Sequence, residues 1–220
     1  MIKVAIDGPS GAGKSTVSKA VAKELGYIYV DTGAMYRAMA LHMLKTGIDI
    51  EDASAVIAEC VNPDITIKYE DGVQVVYLNG ENVNAYLRTE EVGNAASKTS
   101  TLMPVRVRLV ELQQKLAAES DCIMDGRDIG TCVLPNADVK IYLTASSAVR
   151  AKRRYIELTA KGEACDIAEI QRIIEERDYR DMHREASPLK QAEDAVLVDT
   201  SDMTIDEVIE KIISICGDRK

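Results

Sequence analysis

The sequence contains no tryptophan and no phenylalanine, so we expect a core made mostly of aliphatic side chains. It has no long apolar run and no recognisable signal peptide, which argues against a membrane-spanning or exported chain. Its two histidines are too few for a histidine-rich metal site. The five cysteines form no C-x-x-C pair and have no metal-like spacing, so we expect a reduced, cytoplasmic protein.

Positive charge is also scarce, because 27 Lys and Arg residues stand against 36 Asp and Glu residues, a formal net charge of −9. Chains that bind nucleic acid or anionic membranes carry the opposite excess, so we expect neither partner. A length of 220 residues is enough for one α/β domain with small inserts. No feature of the sequence indicates a dimer contact, and we expect a monomer.

One glycine-rich stretch, Gly8-Pro9-Ser10-Gly11-Ala12-Gly13-Lys14-Ser15-Thr16, fits the G-x-x-x-x-G-K-[ST] pattern of an ATP-binding phosphate loop. It follows a short apolar run at residues 3–7 and precedes a segment, residues 15–25, with apolar residues at helical spacing. Strand, loop and helix in this order predict that backbone N–H groups bind phosphates. We expect Lys14 to contact the outer phosphates and the Ser15 hydroxyl to ligate Mg²⁺.

Strand-like and helix-like segments alternate along the chain, which predicts a P-loop-type α/β fold: a parallel five-stranded sheet flanked by helices. The predicted strands are residues 3–7, 27–30, 122–125, 139–143 and 195–199. One segment differs, because β-rich runs from about 62 to 88 are separated by Asp71-Gly72 and Asn79-Gly80, which predict hairpin turns. We expect a small antiparallel insert there, either a substrate-side lobe or an inert elaboration.

Residues that follow the strands of a parallel sheet face its ligand crevice, which gives further site candidates. These are Asp31, Thr32, Tyr36 and Arg37 after the second strand, and Asp125, Arg127 and Asp128 at the third. An ordinary helix face explains Tyr36 and Arg37 equally well. Asp125 occupies the position of a Walker-B carboxylate, and either Asp125 or Asp31 could order Mg²⁺ through water.

An arginine-rich region at about residues 150–184 contrasts with the acidic remainder of the chain. It carries Arg150, Lys152, Arg153, Arg154, Arg172, Arg177, Arg180 and Arg184, with a break near Gly162. Spacing of three to four residues predicts one helix face formed by Arg177, Arg180, Asp181 and Arg184. Guanidinium groups match phosphate oxygens, so we expect a helical lid over the phosphate loop. The alternative is a solvated face whose arginines are neutralised by neighbouring carboxylates.

Four runs occur together and in order: residues 8–16, 31–37 (DTGAMYR), 125–131 (DGRDIGT) and 177–181 (RDYRD). In this combination the chain resembles the bacterial cytidylate kinases over essentially its whole length. The resemblance implies one P-loop kinase domain over residues 1–220, with a monophosphate-binding insert at about 62–100 and a lid at about 150–184. It implies transfer of the γ-phosphoryl group of ATP to CMP or dCMP with Mg²⁺, in pyrimidine nucleotide metabolism.

The resemblance also implies roles for single residues. Cytosine is expected to be read by Ser97, Arg106 and Asp128, with Arg108 as the alternative to Arg106. The remaining CMP-binding residues are expected to be Thr32 and Asp181 at the sugar, Arg37, Arg127 and Arg184 at the phosphate, Arg177 near both, and Tyr36, which is assigned to no particular part of the nucleotide. Arg153 and Arg154 match the arginines of the family's lid. The catalytic charges are expected to be Lys14, Arg127, Arg153, Arg177 and Arg184.

Two other functions stay open. One is a kinase of a different small acceptor, such as UMP, AMP or a non-nucleotide, against which the three base-reading residues argue. The other is a non-transferring, GTPase-like nucleotide switch, which is expected to carry D-x-x-G and N-K-x-D strings. Neither string occurs in the sequence.

Overall fold

The computed structural model describes residues 1–217 and confirms the predicted α/β class. Its strands are β1 (Lys3–Asp7), β2 (Ile28–Asp31), β3 (Ile65–Glu70), β4 (Val73–Leu78), β5 (Glu81–Asn82), β6 (Cys122–Gly126), β7 (Val139–Thr144) and β8 (Val196–Asp199). Its α-helices are α1 (Lys14–Leu25), α2 (Thr32–Lys45), α3 (Ala53–Glu59), α4 (Glu90–Thr99), α5 (Met103–Glu119), α6 (Ser147–Ala160), α7 (Ile167–His183) and α8 (Ile205–Gly217). The chain forms two compact units: Met1–Tyr29 together with the chain from Asp121 onward, and Val30–Ser120.

The first unit is built on the predicted five-stranded sheet, in the order β2-β6-β1-β7-β8. The central strand β1 pairs in parallel with β6, from Lys3 opposite Cys122 to Asp7 opposite Gly126, and with β7 on its other side. The apolar core joins the sheet to α1 and α8 and includes Val4, Ile6, Val21, Ile123, Ile141, Leu143 and Ile212. Because the strands are parallel, Asp7 and Gly126 end at one edge of the sheet, where the phosphate loop begins.

Local sequence signals explain where the helices of this unit begin and end. Gly13 precedes α1 and Gly26 follows it, both with a left-handed backbone that glycine adopts readily. Side-chain oxygens of Ser146 and Asp166 cap α6 and α7. Gly162, with a φ of 79°, lies in the break between these two helices, where the sequence predicted it.

The second unit contains α2 to α5 and the small antiparallel sheet β3-β4-β5, and this sheet confirms the predicted antiparallel strands. Asp71 and Asn79 both have a φ of 51°, and the glycine after each also has positive φ, which is the turn geometry that Asp-Gly and Asn-Gly favour. The core of this unit is aliphatic and includes Met35, Met39, Met43, Val56, Val83, Val105 and Leu109. This composition fits the absence of phenylalanine and tryptophan.

Two local features have no counterpart among the sequence predictions. Asp31 caps α2, because its side chain accepts a hydrogen bond from the N–H of Ala34 at 3.0 Å. After β6, Ile129–Val133 form a π-helical turn, closed by hydrogen bonds between residues five apart. Such turns are rare and have no periodic sequence signature, but they occur often at functional sites. Among residues 1–217, no helix combines the length and the apolar character needed to cross a bilayer.

Candidate active site

The phosphate loop connects β1 to α1, and three glycines with positive φ shape it: Gly8 (149°), Gly11 (78°) and Gly13 (93°). At Gly8 no side chain fits, because a Cβ atom would stand 1.9 Å from the carbonyl oxygen of Leu143 in β7. The loop therefore lies directly against the sheet. A loop of this shape at a helix N-terminus presents N–H donors and positive helix dipole to an anion.

Lys14 begins α1, and its buried ammonium group folds back onto the loop. It donates hydrogen bonds to the carbonyl oxygens of Gly8 at 2.7 Å and Pro9 at 2.8 Å. Burial lowers the pKa of Lys14 to about 7, and the Arg127 guanidinium acts in the same direction, while Asp125 opposes both. A bound phosphate would favour the charged ammonium, so the protonation of Lys14 is coupled to what the loop binds.

Asp7, the last residue of β1, holds the segment that follows β6. Its two carboxylate oxygens accept hydrogen bonds from the N–H groups of Ile129 and Gly130, each at 2.7 Å. Burial raises the pKa of Asp7 to about 6, although the two N–H groups and Lys14 oppose that rise. Asp7 thereby fixes the backbone next to Asp128.

A serine and an aspartate offer oxygen ligands of the kind that Mg²⁺ prefers. Ser15 Oγ donates to Asp125 Oδ2 at 2.8 Å, and the Tyr29 hydroxyl donates to Asp125 Oδ1 at 3.1 Å. A loop serine beside a strand-end aspartate fits the donor set of P-loop enzymes, in which water and phosphate oxygens complete the shell. Within residues 1–217, no group of three or more His, Cys, Asp or Glu residues could hold a metal ion.

Asp31, the other predicted metal contact, has different partners. Its Oδ1 caps α2, and its Oδ2 accepts hydrogen bonds from Arg37 Nη2 and Arg88 Nη2, each at 3.0 Å. Its backbone N–H donates to Gln74 Oε1 of β4 at 2.7 Å. A carboxylate that two guanidinium groups already occupy is a poor ligand for Mg²⁺, so Asp125 is the better candidate of the two.

Tyr36 and Arg106 lie together in the second unit. Arg106 is buried, its guanidinium carbon is 5.4 Å from the centroid of the Tyr36 ring, and its Nη1 donates to the Ser100 carbonyl oxygen at 3.2 Å. Arg108, the alternative to Arg106, is only partly buried. Ser97 is also partly buried, and its carbonyl oxygen accepts a hydrogen bond from the Ser100 hydroxyl at 3.1 Å. The contact with the Tyr36 ring limits where the Arg106 guanidinium can point.

Two arginine–aspartate pairs connect the segment after β6 to α7 and the residue that follows it. Arg127 Nε donates to Asp181 Oδ2 at 2.9 Å, and Arg184 Nη2 lies 3.6 Å from Asp128 Oδ1. Burial by itself would raise the pKa of Asp181, but Arg127, Arg177 and Arg184 hold it below its usual range. Five residues that the sequence proposed for phosphate, sugar and base binding therefore form one cluster in the first unit.

The other arginines of the region have more varied surroundings. Arg153 donates from Nη1 to the Thr200 hydroxyl at 3.2 Å and from Nη2 to the Thr200 carbonyl oxygen at 2.7 Å, so its guanidinium lies at the loop after β8. Arg154 and Arg172 are exposed and pair with glutamates of their own helices. At those two positions the region is the solvated, neutralised face that the alternative interpretation described.

Arg150 differs from every expectation for a lid arginine, because it is buried. It donates from Nε to the Ala145 carbonyl oxygen at 2.8 Å and from Nη1 to the Ser10 carbonyl oxygen at 3.0 Å. The aliphatic part of the side chain also lies close to Gly11, where a Cβ atom would stand 3.4 Å from that of Arg150. Arg150 therefore supports the phosphate loop from the side of α6.

The prediction that Arg180 shares a face with Arg177, Asp181 and Arg184 is wrong. Asp181 is buried, whereas Arg180 is exposed and donates to the carbonyl oxygen of Glu176 on its own helix. Successive residues of a helix are rotated by about 100°, so the adjacent positions 180 and 181 can differ in exposure as they do here. The inward face takes the second of the two positions.

The predicted site residues fall into two groups. The first unit holds the loop Gly8–Thr16, Asp125, Arg127, Asp128, Arg153, Arg177, Asp181 and Arg184, and the second holds Asp31, Thr32, Tyr36, Arg37, Ser97 and Arg106. The sequence interpretation missed Asp7, Gln74, Arg88 and the structural role of Arg150. A charged residue at the end of a buried strand could have indicated Asp7, but no pattern marks Arg88, which lies outside any periodic segment.

Comparison with known proteins places these features in context. A family model described as cytidylate kinase matches residues 4–217. A cytidylate kinase of Lactobacillus johnsonii is 51% identical over 215 residues, 98% of this chain and 94% of the relative, and one of Caldicellulosiruptor bescii is 50% identical over 214 residues, 97% and 95%. The solved shikimate kinase of Acinetobacter baumannii in complex with shikimate has a TM-score of 0.50 at 16% identity, covering 100% of this chain and 95% of that one, a likeness of fold alone.

Proposed function

The chain belongs to the cytidylate kinase family, and on that premise we propose that it transfers the γ-phosphoryl group of ATP to CMP or dCMP, releasing ADP with CDP or dCDP. The observation that carries the reaction type is the phosphate loop with its buried Lys14, next to the Ser15–Asp125 pair. ATP and the acceptor nucleotide both carry phosphate groups. The enzyme therefore needs fixed positive charge and N–H donors, and no nucleophilic side chain.

The chemistry requires no proton-transferring residue. The attacking atom is a phosphate oxygen of the acceptor, which is already anionic near neutral pH, so we assign no general base. Negative charge spreads over the equatorial oxygens of the moving group, and Lys14 and Arg127 would stabilise it from fixed positions. Asp181 supports Arg127 in this role, because its carboxylate holds the guanidinium at Nε. Arg153, Arg177 and Arg184 are the further catalytic charges of the proposal.

Ser15 and Asp125 are the residues that would hold Mg²⁺. When bound, the cation would neutralise charge on the β- and γ-phosphates of ATP. The Tyr29 hydroxyl fixes one oxygen of Asp125, so the carboxylate is oriented before a cation arrives.

For the acceptor base we propose Ser97, Arg106 and Asp128. Cytosine presents an amino donor beside two acceptors, so a carboxylate suits the amino group and an arginine suits the acceptors. The burial of Arg106 over the Tyr36 ring supports this assignment, because it limits where the guanidinium can point. The sugar and phosphate of CMP would be bound by Thr32, Arg37, Arg127, Arg177, Asp181 and Arg184.

We further propose that the enzyme acts in the cytoplasm as a monomer on these small molecules, without nucleic acid or membrane. The net charge of −9 supports this view, since it opposes attraction to polyanionic surfaces. Analytical ultracentrifugation at constant salt tests the monomeric state. A monomer predicts a sedimentation coefficient that does not rise with protein concentration.

A coupled assay of ADP release tests the proposal, with ATP, Mg²⁺ and matched concentrations of CMP, dCMP, UMP, AMP and GMP. We expect fast turnover with CMP and dCMP and slow turnover with the other three. Turnover with another acceptor alone would keep the phosphate-loop argument and remove the roles of Ser97, Arg106 and Asp128. If no acceptor speeds ADP release above the rate with ATP alone, the proposed kinase activity is overturned.

A further inference from the structure

Arg88 of the second unit has a fixed backbone position but a side chain that adds little to the packing of the fold. It lies between β5 and α4, directly after the buried Leu87 and before Thr89, whose side chain caps α4. These two neighbours fix the backbone, while the Arg88 side chain is 64% exposed. Its Nη2 donates to Asp31 Oδ2 at 3.0 Å.

Asp31 does not need Arg88 as a counter-ion. Arg37 Nη2 already donates to both of its carboxylate oxygens, at 3.0 Å and 3.3 Å, and the N–H of Ala34 donates to Oδ1. One negative charge therefore faces two guanidinium groups at the start of α2, a helix end that itself favours anions. The two like charges repel each other, and a second anion between them would relieve that repulsion.

We propose that Arg88 binds the phosphate group of the acceptor nucleotide together with Arg37, and that Asp31 holds both guanidinium groups in position beforehand. This inference rests on the proposed function, in which Arg37 binds the acceptor phosphate. A guanidinium matches phosphate oxygens with two parallel N–H donors. The Arg88 guanidinium is solvent-exposed although Asp31 is buried, and Arg37 keeps the Asp31 carboxylate paired if Arg88 turns toward a phosphate.

The small antiparallel sheet supports this arrangement from β4. Gln74 Oε1 accepts the N–H of Asp31 at 2.7 Å, and Gln74 Nε2 donates to the carbonyl oxygen of Asp31 at 3.3 Å. Both backbone polar groups of Asp31 are thus bound by one side chain, which holds in place the backbone that carries its carboxylate. The insert then has a function: it positions the residue that positions Arg37 and Arg88.

The test compares Arg88→Met and Arg88→Lys with the control Lys45→Met. Lys45 is a partly exposed cation of the same unit that pairs with Glu81 and not with Asp31. Two ligands are measured for each protein: the Kd of CMP by calorimetry, and the inhibition constant of cytidine, which lacks the phosphate. Removal of a charged hydrogen-bonding partner predicts that Arg88→Met raises the Kd of CMP by about tenfold or more.

The expected pattern is specific to the phosphate. In Arg88→Met the inhibition constant of cytidine and the KM of ATP stay near the wild-type values, Arg88→Lys lies between Arg88→Met and wild type, and Lys45→Met changes nothing. An unchanged Kd of CMP in Arg88→Met, or an equal rise for CMP and cytidine, overturns the assignment. If the wild type phosphorylates no CMP, both the proposed function and this inference fail. If the wild type phosphorylates CMP and Arg88→Met has the same Kd for CMP, only this inference fails.

Discussion

The buried Arg150 and the partly buried Asp178 form an ion pair with two hydrogen bonds, 2.6 Å from Nη2 to Oδ2 and 3.0 Å from Nη1 to Oδ1. Arg150 belongs to α6 and Asp178 to α7, so the pair joins the two helices of the arginine-rich region. Because Arg150 also donates to the Ser10 carbonyl oxygen, one guanidinium connects α7 to the phosphate loop.

Arg150→Met is expected to lower the free energy of unfolding by about 3–5 kcal/mol, because it removes a buried guanidinium and leaves the largely buried Asp178 carboxylate without this partner. Urea unfolding measures the change. Arg172→Met is the control, since Arg172 is an exposed arginine whose partner Glu169 is also exposed, and we expect little change there. Equal effects of the two substitutions would contradict the structural role of Arg150.

ATP binding at pH 8 is expected to take up protons from solution. Because the pKa of Lys14 is lowered to about 7, most of the ammonium is deprotonated at that pH, and the phosphates of ATP favour its return. Calorimetric titrations of Mg²⁺–ATP in buffers of different ionisation enthalpy measure the uptake. In Lys14→Arg the cation keeps its charge, so the uptake should vanish. A wild-type binding enthalpy that is the same in every buffer would disprove the coupling.

Asp7→Asn is expected to change how stability depends on pH. The pKa of Asp7 is about 6 in the folded chain against an ordinary value of 3.8, so the folded state binds the proton more tightly. The contribution of Asp7 to the free energy of unfolding is complete below about pH 3.8 and is lost as the pH rises through 6. The loss amounts to about 3 kcal/mol. Urea unfolding of Asp7→Asn at several pH values should therefore show a smaller decline over this interval than the wild type, whatever the offset between them. Parallel curves would exclude this role.

Arg106→Met and Arg108→Met are expected to differ strongly in their use of CMP. If Arg106 reads the base, its loss should raise the KM of CMP by about tenfold or more, the scale of one bidentate base contact. Arg108→Met, a substitution of the same kind two residues along the same helix, should stay near wild type. A reversed order in the steady-state assay would transfer the assignment to Arg108. Because Arg106 is buried, its substitution could also impair folding. Circular dichroism spectra of both variants check that they keep the wild-type secondary structure.

Asp128→Ala is expected to impair the use of CMP far more than the binding of ATP, because the carboxylate is proposed to face the amino group of cytosine. Its Kd for ATP should stay within a few-fold of wild type, while kcat/KM for CMP should fall by about tenfold or more. Asp202→Ala, which changes an exposed aspartate, serves as the control. A proportional loss of affinity for both nucleotides would count against base recognition by Asp128.

The sequence predicted the sheet, the insert and the phosphate loop because each depends on local signals. Alternating apolar segments indicated the strands, and Asp-Gly and Asn-Gly dipeptides indicated the turns. It did not predict that Arg150 is buried, because the burial of an arginine depends on a distant partner, here Asp178. Helical spacing alone also misplaced Arg180, because spacing does not show which side of α7 faces Arg127. Asp181 pairs with Arg127, whereas Arg180 is exposed. The boundaries of the insert and lid, and the binding roles of the site residues, stay predictions.

The close approach of Gly8 to Leu143 has a consequence for affinity. Because the Gly8 backbone packs directly against β7, the start of the loop is shaped when the sheet forms and not when ATP arrives. The conformational entropy of ordering the loop is then lost during folding, so nucleotide binding is not opposed by it. A substitution at Gly8 would therefore weaken ATP binding and the packing of the loop against β7 together.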